Sequence, residues 1–490
     1  MRIFLMWADK DRELVTLMRA LSTAPHTLVY WLGHSDAEAN NLPGVIFHSH
    51  RDAGLALPAR DVDTSDFSPP GEDIIKVFYN VESIVLTMMN RSLDKALVNE
   101  RRHLYYEMLR YWLGVFKTYR PEIIIFPVEP HSIYDYIVYE LAKHFSIPIL
   151  CFNETRASDR LLYMNDFRKG SRRLLEEMEK NKGRAFTLED LSIDLRQYYT
   201  KRAVTERDKT PSYVGFLQNK YSLSRRLSPA KILKSIREGT FLKKAYNFLF
   251  VEKEIGLVAK SLVMFSYRFR PNLKKEYARV QRAPDMGNKF VYAALQVQPE
   301  RSTSPMGDMF VDQILVLETL SYTLPKDWVI YVKEHPLQWV RIGINYSSSR
   351  YRGYYERIAK IPNVRPIPVE TNSYELMKNA QAVVTVAGAP GWEAILHSKP
   401  AIVFGNPWYK DCPGVFRVDD VDSCAAALKS IAGGFHVEQG AVINYLKSLD
   451  TETIHGYFAV SNEKASALNR RENMQSIMSV VLAELNEKRV

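Results

Sequence analysis

A chain of 490 residues with 46% hydrophobic content can fill two cores of ordinary domain size. Its three cysteines, Cys151, Cys412 and Cys424, share no metal-ligand spacing, and their odd number argues against a disulfide scaffold and for a reducing cytoplasm. The formal net charge of +10 is concentrated in residues 201–280, where about 19 Lys and Arg face about 6 Asp and Glu. That segment interleaves Lys220, Arg225, Arg226, Lys231 and Lys234 with Tyr221, Phe241 and Tyr246. It reads as a solvated helical face or as a surface for anionic lipid or acidic glycan, and no nucleic-acid module accompanies it. The apolar start Met1–Ala8 gives way to Asp9-Lys10-Asp11-Arg12 too soon for a signal segment or a span, and no later run reaches spanning length. The expected location is cytoplasmic, with any contact at the inner membrane peripheral and made through residues 201–280.

In chain order, short apolar runs at Arg2–Trp7, Thr27–Leu32 and Gly44–His48 predict strands, followed by a long helical region near 72–118. A strand at Glu122–Pro127, a helix over Tyr134–His144 and a strand at Pro148–Phe152 complete an α/β unit. From about 160 to 280 the chain is charged and helical, without comparable strand runs. Alternation restarts at Phe290–Val297 and continues through strands at Trp328–Val332, Val364–Ile367, Ala382–Val386 and Ala401–Phe404, with helices between them. The expected fold class is α/β, with two Rossmann-like doubly wound domains facing a central cleft and a helical basic insertion. The expected boundaries are 1–160 for the N-terminal domain, 161–285 for the insertion, 286–455 for the C-terminal domain, and 456–490 for a helical segment packing back on the N-terminal domain.

Two strand ends carry chemistry. Val383–Val386 runs into the small-residue turn Ala387-Gly388-Ala389-Pro390-Gly391 and a helix start, where close backbone approach and exposed N–H groups suit an anion. Trp328–Val332 ends in Lys333-Glu334-His335-Pro336, which places a cation and an imidazole where a strand leaves its sheet. A Gly-x-x-Gly turn alone is a weak signal.

Gln296-Val297-Gln298-Pro299-Glu300, Lys333-Glu334-His335-Pro336 and Thr385 through Ala394, in that order, resemble the capsule polysaccharide biosynthesis proteins. That family includes GT-B glycosyltransferases using CMP-activated ulosonic acids, among them Kdo and pseudaminic acid transferases. The resemblance is strongest over residues 286–410 and absent over 160–280. It implies a nucleotide-binding C-terminal domain, an acceptor-presenting N-terminal domain, and a CMP-sugar donor with no separate cofactor. It further implies that Lys333 and His335 meet the leaving phosphate and that Thr385, Gly388 and Gly391 shape the phosphate-facing turn. Glu393 would take the ribose and Ser373 would lie beside the base. Gln296, Gln298, Arg301 and Ser304 are candidates for orienting the donor sugar, with the planar Arg301 fork matched to a carboxylate.

A transferase needs a base or a nucleophile. Glu129, at the end of the Ile123–Phe126 strand and followed by His131, is the leading carboxylate. Glu154 and Asp159 stand in reserve, and Glu154, Arg156 and Arg160 are the candidate acceptor-binding residues. No metal is expected, because Asp419-Asp420-Val421-Asp422 reads as a helix cap. The reading that follows is a metal-independent, retaining transferase acting on a capsule or lipopolysaccharide acceptor. A CDP-glycerol or UDP-sugar transferase, a GT-B-shaped epimerase and a non-catalytic membrane-docked scaffold remain alternatives.

Overall fold

The computed structural model describes residues 1–490 apart from 9–12, 35–41, 206–271, 339–346, 459–462, 464–465 and 488–490. Most of the basic stretch 201–280, with the membrane or glycan contact expected of it, therefore lies outside the described residues. The strands are β1 (Arg2–Met6), β2 (Thr27–Gly33), β3 (Ile46–Ser49), β4 (Ile123–Phe126), β5 (Ile149–Glu154), β6 (Arg160–Met164) and β7 (Lys289–Ala294). They continue with β8 (Trp328–Lys333), β9 (Val364–Pro366), β10 (Ala382–Thr385), β11 (Ala401–Val403), β12 (Val415–Arg417) and β13 (Ile454–His455).

These form a seven-stranded sheet, β13-β6-β5-β4-β1-β2-β3, and a six-stranded sheet, β12-β11-β10-β7-β8-β9. The second sheet is parallel throughout, and the first is parallel from β5 to β3. Each follows the doubly wound Rossmann order, so its strand order reverses between β1 and β4 or between β7 and β10. Strands covered on both faces need apolar residues at every position, which is why they read as continuous runs. Along β1, Phe4 and Met6 enter one core while Ile3 and Leu5 enter another. Along β7, Val291 and Ala293 face one helical layer while Phe290 and Tyr292 face the opposite one.

The N-terminal sheet extends past the expected boundary. Residues 160–164 form β6, antiparallel to β5, where the sequence reading saw no strand. The flanking charge that hid it is buried: Arg160 is 4% exposed and pairs with Asp194 and Asp450, each at 2.8 Å. Late in the chain, β13 joins β6. The helix Arg470–Glu487 lays Met474, Ile477, Val481 and Leu485 against the face of β1 that carries Ile3 and Leu5. Helix caps follow side-chain chemistry. Asn372 accepts from the Tyr374 and Glu375 N–H groups, and Asp420 caps the helix Val421–Ala432 through the Ser423 N–H at 2.8 Å.

The C-terminal strand ends are joined by a buried ion pair. Glu334, one residue beyond β8, and Arg350 are both 0% exposed and meet at 2.9 Å. The Tyr355 hydroxyl donates to Glu334 at 2.6 Å and the His335 N–H at 2.7 Å, so the carboxylate is satisfied on both oxygens. Arg350 also donates to the Gln298 side chain and the Gln296 carbonyl, and lies 4.5 Å from the centre of the Tyr354 ring. Arg350→Met strands a buried carboxylate and is expected to lower the unfolding free energy by about 3–5 kcal/mol in urea titrations. The double variant Arg350→Met/Glu334→Gln is expected to regain part of that loss.

Candidate active site

In doubly wound sheets ligands gather at the carboxyl ends of the strands where the order reverses. Here that edge of the C-terminal sheet presents Gln296, beyond β7, and the turn after β10. With its amide oxygen facing the turn, Gln296 accepts from Thr385 Oγ1 at 2.7 Å and from the Ala387 and Gly388 N–H groups at 2.9 and 2.5 Å. Its Nε2 donates to Ser302 Oγ at 3.0 Å. Two donors expected to meet a phosphate are thus engaged by a side chain of the protein. A Cβ on Gly388 would stand 2.5 Å from that amide, and one on Gly391 would stand 2.4 Å from the Tyr409 hydroxyl. Both glycines allow close approach, but by neighbouring side chains of this protein.

Lys333 turns toward the loop before the helix Ser373–Asn379, donating to the Thr371 carbonyl and to Ser373 Oγ at 2.6 Å. Burial pushes its amine down to about 8, with Glu370 opposing the shift. Lys333 and Ser373 are therefore brought together, with the ammonium directed at this loop. His335 Nδ1 accepts from the Leu337 N–H at 3.1 Å, so a neutral ring carries its proton on Nε2. Burial lowers its pKa, with Glu334 and Glu300 opposing. Glu393, partly buried, is pushed up by burial and held down by the Arg202 and Arg156 guanidiniums. Beside it, Trp392 Nε1 donates to the Tyr198 hydroxyl at 2.9 Å.

Across the interface, Glu129 is 1% exposed, and Arg301 of the C-terminal domain meets its Oε2 at 3.0 Å. Burial raises the Glu129 carboxyl, Arg301 lowers it, and Glu154 raises it further. His131 Nδ1 donates to the Glu129 carbonyl at 2.9 Å, leaving Nε2 as an acceptor in the neutral ring. Burial, then the Arg301 charge, holds its pKa down to about 4. The two histidines consequently present opposite Nε2 roles, an acceptor at His131 and a donor at His335. Arg301 belongs to the segment 299–308, which makes two further cross-domain contacts. Ser304 Oγ lies 2.7 Å from Thr87 Oγ1, and Asp308 pairs with Arg168 at 3.0 Å.

Several expected site residues are committed elsewhere. Gln298 donates to the Val311 carbonyl and accepts from Gln313 and Arg350, which draws it into the polar network and away from a sugar. Ser304 is 5% exposed and faces Thr87, and Arg301 faces Glu129 where a donor carboxylate was expected. Arg160 cannot take an acceptor, because Asp194, Asp450, Ser192 and Thr453 surround its guanidinium. Glu154 accepts from the Phe458 N–H at 2.6 Å, a tie to the C-terminal segment. Of the three acceptor candidates, Arg156 stands within electrostatic reach of Glu393. Asp159, Asp194 and His455 lie within metal-ligand range of one another, but Asp194 is engaged by Arg160 and Asp159 by His455 and Ser466.

Sequence reasoning missed Glu334, Arg350 and Asp135. Glu334 had a signal: it continues the Ile330, Val332 set that faces one core, so an acid there needs a buried cation. Arg350, after three serines, had none. Asp135, in the first turn of the helix Ile133–His144, has a buried Oδ1 without a hydrogen-bond partner, and burial pushes its carboxyl up to about 8.

Two doubly wound sheets meeting at strand ends, with candidate residues from both sides, define a protein of GT-B architecture. Residues 275–426, which include the strand ends of the C-terminal sheet, match the family model for capsule polysaccharide biosynthesis proteins. Over 134 residues, 26% of this chain, the sequence is 29% identical to the capsule polysaccharide export protein KpsS of Escherichia coli. Over 71 residues, 14% of the chain, it is 31% identical to the capsule polysaccharide modification protein LipA of Neisseria meningitidis serogroup B. These matches span 32% and 10% of the relatives' own lengths. A solved structure of Thermosulfurimonas dismutans KpsC, a beta Kdo 2,7 transferase, aligns over 76% of this chain and 89% of its own, at 9% identity and a TM-score of 0.32. Among the described residues no helix is long and apolar enough to cross a membrane.

Because folding lowers the His131 pKa, the unfolded chain binds a proton that the native ring refuses between its ordinary value and about 4. Stability should therefore fall as pH drops through that window. His131→Asn is expected to shrink the loss between pH 7 and pH 5 by about 1–2 kcal/mol, measured as paired urea titrations.

Proposed function

We propose that the chain is a glycosyltransferase of capsule polysaccharide assembly. In this reading it moves a 3-deoxy-ulosonic acid, Kdo or a pseudaminic or sialic relative, from a CMP donor to a surface-glycan acceptor, with retention and without a metal. One observation carries it: the family match over residues 275–426 includes the sheet whose strand ends present Gln296, His335 and the turn leading to Glu393.

The residues have chemistry suited to the reaction. As CMP leaves, negative charge grows on its phosphate, and the His335 Nε2–H is a neutral donor that can meet it without first losing a proton. Lys333, through Ser373 and the Thr371 carbonyl, orders the loop proposed to receive the base. Glu393 is placed by the reading at the ribose. On the acceptor side, Glu129 is the proposed carboxylate, and His131 Nε2 can hold the acceptor hydroxyl. The donor phosphate must either displace Gln296 from the Ala387 and Gly388 N–H groups or bind beside it.

Calorimetry with CMP, UMP, CDP and UDP tests the donor. The expected outcome is micromolar binding of CMP and weaker binding of UDP. Preference for UDP would sink the CMP assignment, and absence of any nucleotide binding would favour a scaffold. With CMP-Kdo or CMP-pseudaminate and a capsule acceptor, Glu129→Ala is expected to lower turnover by at least about 100-fold. Turnover near wild type would remove Glu129 from the chemistry.

A further inference from the structure

Glu129 has an unusual supply of charge. It sits at the end of β4 with 1% exposure, and its ion-pair partner comes from the other domain. Among the described residues, the N-terminal cation beside this cluster, Arg91, donates to the His131 carbonyl at 3.3 Å and acts on His131 and Asp135, whereas the cation acting on Glu129 is Arg301. His131 is tied by Nδ1 to the Glu129 carbonyl and is neutral near pH 7, while Glu154 adds repulsion. The Cys151 thiol on β5 is fully buried, raised by burial, and feels the charges of Glu129, Arg301 and Asp135. Arg301, by contrast, is 32% exposed and rides on the segment whose Ser304 and Asp308 are anchored to Thr87 and Arg168. A carboxylate buried among apolar groups and another acid keeps its charge only while a cation is held against it.

We propose that Arg301 is a positioning residue that holds Glu129 in its charged form, so that Glu129 can act as a base only when the segment 299–308 is docked on the N-terminal domain. In that form Glu129 accepts the proton of the acceptor hydroxyl as that oxygen bonds to the anomeric carbon on the same face from which CMP departs with the electron pair of the broken bond, so that configuration is retained. Undocking removes the cation and leaves Glu129 beside Glu154, where it takes a proton from water and is no longer a base. Domain closure and base competence become one event. This inference rests on the transferase reading for its catalytic consequence, but the pairing itself does not.

The test uses the full chain with two readouts. In infrared difference spectra of protein labelled with 13C-carboxyl glutamate, Glu129→Gln identifies the Glu129 band. Wild type is expected to show a carboxylate at pH 7, and Arg301→Gln the protonated acid. In pH profiles of kcat/KM for sugar transfer, the acid limb of Arg301→Gln is expected to move up by at least about one unit, a tenfold loss below the limb. Arg301→Lys should recover most of the shift, and the donor KM should change less than kcat. A Glu129 band that stays ionised in Arg301→Gln, or an acid limb that does not move, would overturn the proposal. A wild-type protein that transfers no sugar would retire the transferase reading instead, and the infrared comparison would still decide the pairing.

Discussion

The paired burial of Glu334 and Arg350 organises the C-terminal half of the site. Two opposite charges without solvent are tolerable only when geometry and hydrogen bonding are nearly complete. The Tyr355 hydroxyl, the His335 N–H, the Gln298 amide and the Gln296 carbonyl meet that requirement. The ends of β7 and β8 and the segment carrying Arg350 are thereby held as one platform. Gln298 is drawn inward by this network, and Gln313 and Gln338 close it through reciprocal amide contacts. Gln296 and His335 share its backbone contacts, Gln296 through its carbonyl to Arg350 and His335 through its N–H to Glu334.

From that platform the segment 299–308 reaches the N-terminal domain. Arg301, Ser304 and Asp308 each meet a residue of the opposite domain, while Ser302 accepts from the Gln296 amide that occupies the turn after β10. The turn after β10 and the domain contact are consequently linked through one side chain. Displacing Gln296 from Ala387 and Gly388 would break its bond to Ser302 as well. Glu129, paired with Arg301, lies at the far end of this chain of contacts.

Much of the fold was legible because its signal is local. Continuous apolar runs gave β1, β4, β7, β8 and β10, and small residues marked the turn after β10. The acidic run at 419–422 announced a helix cap, and Asp420 within it caps the helix that begins at Val421. The strand β6 was hidden by Asp159 and Arg160, since charge ordinarily signals solvent. It is buried here because acids some 30 and 290 residues farther along converge on Arg160. Glu129 and His131 were legible as strand-end residues, but the identity of their charged neighbour was not.

Periodicity, turn composition and capping are properties of adjacent residues, so contiguous sequence alone determined the two α/β units, their strand ends and the candidates placed there. Which side chains face one another was decided only in the folded chain. Arg301 and Glu129 are 172 residues apart, and Gln296 and Thr385 are 89 apart. No local pattern records such pairings, because they depend on how two sheets are set against each other. The glycines of the turn illustrate the division: their smallness was visible from the start, whereas the Gln296 amide and the Tyr409 hydroxyl that require it were supplied by tertiary packing.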